Sequence, residues 1–415
     1  MDVPGFRDVC LSCAQAIIDI PLPYLIGFVV STLIGLTFLG YTLIFLLAPV
    51  PRPPFPEEKT YQTIAEDGSI TPPKALPCWY DRIGAQPSDG NRSDSLEDAE
   101  LFMSVVVPAY NEQERLPGML EEAVTYLERA YGTLTPHING LGKRENPKQD
   151  RIGTTRKRKT NNVGTSEGLL KGWEIIIVSD GSTDKTIDTA LSFARDHQLS
   201  LHPKGHAGPW TSKLREGVHI PPGTIRVVTL KQNRGKGGAV THGMRHVRGQ
   251  YVVFADADGA SNFDDLGKLV QACQQAEDSE LRGVAVGSRA HLVGSDAVVK
   301  RSKLRNFLMH AFHITIRLLT PPRTAQIKDT QCGFKLFSRA SLPYIVPYMH
   351  SEGWIFDVEM LMLAEFANIP VVEVPVGWRE VKGSKLNVVW DSLGMAWGLA
   401  MLRAAWGSGV YRRRV

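Results

Sequence analysis

LFMSVVVPAYNE (residues 101–112) decides how this chain folds: a short run of apolar and β-branched side chains ends abruptly in Pro108, Tyr110 and Glu112. Uninterrupted apolar runs of this length have the form of strands buried on both faces of a parallel sheet. Three more follow, EIIIV (174–178), IRVVTL (225–230) and YVVFA (251–255). Between the second and third lies TDKTIDTALSFARDH, where Ile187, Ala190, Leu191 and Ala194 fall on one helical face and Ser182 is placed to cap the start. Strands alternating with helices predict an α/β domain built on a mainly parallel sheet.

Open α/β sheets bind ligands at the carboxyl ends of their strands, so the residues that follow each run are the site candidates. After the first come Pro108, Tyr110 and Glu112, an aromatic ring beside a carboxylate. After the second, SDGSTD (179–184) offers Asp180 as a hydrogen-bond acceptor next to a glycine that lets the chain turn. NRGKGGA (233–239) then combines a flexible backbone with the cations Arg234 and Lys236 and opens a helix, an arrangement suited to phosphate, although it lacks the spacing of a Walker A loop. ADADG (255–259) sets Asp256 and Asp258 two residues apart, and such hard oxygen ligands suit Mg²⁺ or Mn²⁺ beside a diphosphate. Either of the first two turns alone reads equally well as an ordinary capped turn, and a lone Asp-x-Asp is a weak signal; in fourth place after three phosphate-friendly turns the Asp pair is a strong one for a metal beside a diphosphate.

VVVPAYNEQERL, IIIVSDGSTDKT, NRGKGGAV and ADADG resemble the inverting family-2 glycosyltransferases of GT-A fold and, within them, the dolichyl-phosphate glucosyltransferases and mannosyltransferases. The resemblance extends from about residue 101 to the C-terminus. It implies that Tyr110, Glu112 and Asp180 contact the nucleoside, that Lys236 contacts the donor, and that Asp256 and Asp258 hold the metal. GSR (287–289) is similar to the family's segment bearing an arginine near the donor phosphates, here Arg289. DTQCGFK (329–335) is similar to its acceptor-side motif, which makes Asp329 the candidate catalytic carboxylate with Gln331 beside it. WIFDVE (354–359) suggests Asp357 as a brace for the site, and Arg379 and Lys385 are cations able to close over phosphates. The resemblance implies UDP-glucose or GDP-mannose as donor and dolichyl phosphate as acceptor. The N-terminal anchor and DTQCGFK look more like the glucosyltransferase branch. A polysaccharide synthase fits less well, because its Q-x-x-R-W signature and bundle of spanning helices are not evident. A non-catalytic scaffold with a degenerate domain would have no reason to keep both carboxylates.

Working outward, residues 20–51 carry no charged side chain, and about 20 apolar residues suffice to cross a bilayer. The run is longer than a signal peptide's apolar stretch and lacks its cleavage pattern, so it reads as an uncleaved anchor. Residues 1–19 are then a short tail and 51–98, rich in Pro, Ser, Asp and Gly, a linker. The catalytic domain spans 99–387, with surface insertions at about 132–172, which includes the basic run 156–159, and at 202–223. Segment 301–320 places Leu304, Phe307, Leu308, Ala311 and Phe312 at helical spacing, and 388–415 carries Trp390, Trp397, Trp406 and Arg412–Arg414; both read as interfacial helices beside a lipid acceptor.

A net charge of +4 is too small for a dedicated nucleic-acid binder, and the five cysteines have neither disulfide-framework nor zinc-site spacing. The cysteines and the need for a nucleotide sugar place the domain on the cytosolic side of the endoplasmic reticulum membrane.

Overall fold

The computed structural model describes residues 21–85, 96–132, 170–211, 216–292, 311–312, 314–381, 383 and 388–412. Its centre is a seven-stranded sheet. Strands β3 (Leu101–Ala109), β4 (Trp173–Asp180), β5 (Ile225–Leu230) and β6 (Gly249–Ala255) coincide with the four apolar runs and pair in parallel in the order β5-β4-β3-β6. Beyond β6 the sheet continues through β8 (Phe334–Ser338), β7 (Val284–Ser288) and β9 (Val371–Pro375). Strand β8 runs antiparallel to both neighbours, so the sheet is mixed while remaining mainly parallel.

The strands read as continuous apolar runs because both faces are covered. On one face, Val105, Val107, Ile175 and Ile177 pack with Leu120 and Leu127 of helix α3 (Leu116–Tyr131), Leu191 and Phe193 of α4 (Thr186–Leu199), and Leu269 of α6 (Leu266–Ala276). On the other, Val106, Ile176 and Val228 meet Val240 of α5 (Lys236–Met244) and Val358 and Leu361 of α7 (Phe356–Phe366). Each such fully buried side chain contributes roughly 1.5–3 kcal/mol of transfer free energy. The face expected for α4 is confirmed at Ala190, Leu191 and Ala194, with Ile187 half-buried. Ser182 does not cap that helix. It joins the neighbouring loop, and Asp184 Oδ1 accepts the Thr186 N–H instead (2.9 Å).

Helix α1 (Leu22–Leu47) is long and apolar enough to cross a membrane, and none of its residues is buried. The segment after it, expected to be a linker with at most short local structure, carries short elements that are packed on the domain. A 3₁₀ turn at Pro56–Lys59, the short pair β1 (Thr60–Tyr61) and β2 (Lys74–Ala75), and α2 (Trp79–Ala85) lie along the domain. Gln62 bridges to Val227 of β5, and the buried Trp79 donates through Nε1 to the Met244 carbonyl (2.7 Å). Proline-rich composition signalled irregular backbone, and long-range hydrogen bonds fix it.

The C-terminal helix α8 (Val388–Gly407) buries Leu399, Leu402 and Ala405 while exposing Trp390, Leu393 and Trp397. It lies against α1, and the Tyr411 hydroxyl donates to the Pro49 carbonyl (2.6 Å). Of the segment expected to form an interfacial helix at 301–320, residues 301–310 lie outside the described part. So does residue 313; residues 311–312 and 314–319 are helical, with Phe312 and Ile316 buried and Ile314 and Leu318 exposed.

Candidate active site

Loops at the carboxyl ends of β3 and β4 interlock. Asn111 takes a left-handed backbone (φ 53°), and its Oδ1 accepts from the Thr183 N–H (2.7 Å) while its own N–H donates to Ser182 Oγ (3.1 Å). Glu112 donates its N–H to Thr186 Oγ1 (2.7 Å). Gly181 has φ 68°, and a Cβ there would lie 2.7 Å from the Asn233 nitrogen, so glycine alone lets this turn approach the next loop. Pro108 sits within β3 opposite Val178, and Tyr110 projects at the rim, 40% exposed.

Asp180, at the end of β4, is 3% exposed. Its Oδ1 accepts the Arg234 N–H (2.7 Å) and its carbonyl accepts from Asn233 Nδ2 (3.1 Å). Burial pushes its pKa up to about 6, with the Arg234 and Gly235 N–H groups opposing the rise. The cation pair expected in NRGKGGA divides. Arg234 is buried and pairs with Glu352, whereas Lys236 Nζ lies 2.6 Å from Asp256 Oδ1. Burial works against the Lys236 charge, but Asp256 and Asp357 outweigh it and raise the pKa.

Asp256 and Asp258 follow β6. A Cβ on Gly333 would fall 2.1 Å from an Asp256 carboxylate oxygen, so the glycine of DTQCGFK makes the space that Asp256 fills. Asp258 Oδ1 accepts the Ala260 N–H (3.0 Å), and Arg115 Nη1 stands 3.8 Å from its Oδ2. Burial, then the nearby Asp256 charge, raises the Asp258 pKa. Arg115 is also held by Glu112 through two bonds (2.7 and 2.5 Å), so Glu112 reaches the site by way of Arg115.

Across β8 and β7, Arg289 grips Asp329 with Nε (2.7 Å), Nη2 (2.8 Å) and its backbone N–H (2.8 Å). Burial would raise the Asp329 pKa, but Arg289 outweighs it and holds the carboxyl below its ordinary value. Asp357 is fully desolvated against Lys335 Nζ, which also donates to the Cys332 carbonyl (2.7 Å). Burial keeps the Asp357 pKa raised despite Lys335. Gln331 Nε2 turns to Met395 Sδ of α8 (2.9 Å). Arg379 lies over the Trp210 ring (4.3 Å) and donates to the Pro209 carbonyl (2.6 Å), and Trp210 Nε1 donates to Gly259 (3.2 Å). The insertion at 202–223 thus packs beside the Asp258 turn. Lys385 lies outside the described residues.

The structure therefore gathers Asp180, Lys236, Asp256, Asp258, Arg289, Asp329 and Asp357 along one edge of the sheet. Sequence reasoning did not single out Arg115, Lys335 or Trp210. Arg115 had a local signal, its position three residues after Glu112. Lys335 sits inside the quoted DTQCGFK but pairs with Asp357, 22 residues on, which no local pattern reveals.

Curated proteins named dolichyl-phosphate beta-glucosyltransferase match this chain, among them the three that follow. That of Saccharomyces cerevisiae is 38% identical over 92% of this chain and 94% of its own length. The chain belongs to the dolichyl-phosphate beta-glucosyltransferase family. The Dictyostelium discoideum member is 38% identical over 75% of this chain and 77% of that protein, and the human member 35% over the same shares. Residues 211–344 match Glycosyl transferase family 2. The chain is therefore a glycosyltransferase of GT-A fold, as its sheet order and motifs led one to expect. Glucosyl-3-phosphoglycerate synthase of Mycobacterium tuberculosis aligns over 74% of this chain and 81% of its own, at 17% identity and a TM-score of 0.41, too low to bear on residue roles.

Proposed function

We propose that this family member transfers glucose from UDP-glucose to dolichyl phosphate with inversion, forming dolichyl β-D-glucosyl phosphate for N-glycosylation at the cytosolic face of the endoplasmic reticulum. The observation that carries the reading is the pairing of near-full-length relatives of that name with Asp256 and Asp258 at the end of β6, flanked by Lys236 and Arg115.

The residues fit a divalent cation, Mg²⁺ or Mn²⁺. Two hard carboxylates stand side by side, Gly333 leaves room against one of them, and burial with the Asp256 charge raises the Asp258 pKa even beside Arg115. A cation held by these two carboxylates would complete its shell with diphosphate oxygens and water. Bound there, it would neutralise the charge developing on the departing diphosphate.

The chain's own residues supply the rest. Asp180 and Tyr110 receive the nucleoside, with Pro108 shaping the strand end beneath them, and Lys236 meets the donor's phosphates. Glu112 acts by fixing Arg115 beside Asp258. A phosphate monoester has a second pKa near ~6 and is largely ionised at neutral pH, so the acceptor needs little help from a base. Asp329, held ionised by Arg289, is a poor proton acceptor and serves as the carboxylate that balances and orients that arginine where acceptor and donor meet. Asp357 and Lys335 brace the floor beneath Asp256, Gln331 links the acceptor side to α8, and Arg379 with Trp210 closes the rim. Helix α1 and the exposed Trp390, Leu393 and Trp397 of α8 set this edge at the membrane.

Membranes bearing the protein, given dolichyl phosphate with UDP-glucose, GDP-mannose or UDP-N-acetylglucosamine, should form lipid-linked sugar from UDP-glucose alone and stop in EDTA. Product from GDP-mannose alone would move the chain to mannosyl transfer. Protease added to sealed microsomes should digest everything after α1. The sequon at Asn91, outside the described residues, should be unmodified, and a glycosidase-sensitive mass shift lost in Asn91→Gln would place the domain in the lumen.

A further inference from the structure

The segment leaving α1 is fastened directly to the loop that holds Asp180. Arg52 donates from Nη1 to Gln232 Oε1 (2.7 Å) and from Nη2 to Glu58 Oε1 (2.9 Å), and its carbonyl accepts from Arg234 Nη2. Glu58 is 0% exposed. Besides Arg52, its carboxylate accepts the N–H of Phe55 (2.9 Å) and the N–H of Lys231 (3.0 Å), while its carbonyl meets His242 Nε2 (2.8 Å). On its far side the same loop gives Asp180 the Arg234 N–H and the Asn233 amide. Residues 231–234 are therefore clamped between a juxtamembrane carboxylate and the carboxylate at the end of β4.

We propose that Glu58 is a positioning residue for donor binding: from the strap that leaves the membrane helix, it fixes loop 231–235 and, through Arg234, the place of Asp180. The inference rests on the reading of Asp180 as a nucleoside-binding group. A cap on the Pro56–Lys59 turn needs only the Phe55 N–H, three residues back. The bond to Lys231 spans 173 residues and does nothing for that turn. Burying a carboxylate also carries a large desolvation cost, which apolar packing would avoid. Another of the strap's fastenings, Trp79, packs in an apolar core and donates to Met244 rather than to the loop.

The contrast between Glu58 and Trp79 gives the test its control. In the full-length protein in membranes, Glu58→Ala should raise the donor KM about ten-fold, the scale of losing hydrogen bonds to a charged group, while the lipid KM holds and kcat changes less. Glu58→Gln keeps an amide oxygen for Lys231 and Arg52 but exchanges charge-assisted bonds for weaker neutral ones, so its donor KM should rise about three-fold. Trp79→Phe loses the bond to Met244 and should lower the Tm with the donor KM unchanged. A lowered Tm with an unchanged donor KM in both Glu58 variants would make Glu58 a structural cap and overturn the proposal. If Glu58→Ala does not accumulate, the donor KM of Glu58→Gln decides alone, and an unchanged value overturns it. Asp180→Ala separates the two readings. A raised donor KM there with inert Glu58 variants sinks the strap and keeps the site. An inert Asp180→Ala with a raised donor KM in Glu58→Ala sinks the Asp180 assignment and the route through it, and keeps only the fixing of loop 231–235 by Glu58.

Discussion

On the β4–β5 side of the ligand edge the acceptors Asp180 and Asn111 are met by backbone N–H groups, with Arg234 paired to Glu352 behind them, whereas on the β6–β8–β7 side three carboxylates face opposite charge. Asp180 accepts the Arg234 N–H, and Asn111 accepts the Thr183 and Asp184 N–H groups. Across the edge, Asp256 faces Lys236, Asp329 faces Arg289 and Asp357 faces Lys335. Backbone donors orient a group without fixing its charge, so burial lifts Asp180 to about pKa 6. The doubly bonded Arg289 outweighs burial and holds Asp329 below its ordinary value, whereas burial outweighs Lys335 at Asp357. The first arrangement suits recognition of a nucleoside and the second suits a place where phosphate charge is redistributed. Removing one member of a buried ion pair strands the other, whereas removing one acceptor of N–H bonds costs less. Losses should therefore be steep on the charged side and graded on the other.

The steepest loss is expected at the metal pair. Asp256→Ala or Asp258→Ala removes an oxygen ligand where diphosphate charge must be met, worth about 4 kcal/mol or about a thousand-fold in rate. Circular dichroism should show each variant folded, since both side chains stand outside the two apolar cores. Full activity of either in EDTA would end the metal reading and with it the charged character assigned to this side.

A smaller loss, about a hundred-fold in kcat, is expected for Asp329→Asn, because the amide keeps the shape but leaves Arg289 uncompensated. Donor binding measured by calorimetry should survive. If binding and turnover fall together, Asp329 belongs to the donor pocket and the comparison breaks. The same pair sets a sign for stability. A carboxyl held below its ordinary pKa contributes stability that is present above the unfolded-state value and is lost as pH falls toward the folded one.

The backbone-held side was far more legible in the sequence than the charged side. Four apolar runs gave β3 to β6 to within two residues, because strands buried on both faces write themselves as continuous β-branched stretches. The carboxylates after them were equally plain. What escaped was pairing at a distance. Arg234 looked like a phosphate cation beside Lys236, yet it is taken up by Glu352, 118 residues on. Composition made 51–98 a linker, while Glu58 and Trp79 fasten its described part through bonds spanning 173 and 165 residues. Trp210 lay in a Pro, Gly and His-rich stretch that advertised only a loop, and its role as a platform for Arg379 depends on where β9 ends.

The smallest effect, and the finest test of the contrast between the two sides, is a pH limb on donor binding. Burial raises Asp180 to about 6 from its ordinary 3.8, so the folded protein holds that proton more tightly than the unfolded chain. The stability this contributes is present below the ordinary value and is lost as pH rises through about 6, by about 3 kcal/mol at most. Nucleoside recognition runs the other way, because only the ionised carboxylate offers all its lone pairs to the base or ribose. The dissociation constant for UDP-glucose, measured by calorimetry without lipid so that the acceptor's own titration is absent, should fall several-fold as pH rises from about 5 to about 7. Asp180→Asn should bind a few-fold more weakly and show no such limb. Asp329→Asn should keep it, since Arg289 holds Asp329 ionised across that range. A limb that persists in Asp180→Asn and disappears in Asp329→Asn would reverse the assignment, making the charged side the one that titrates.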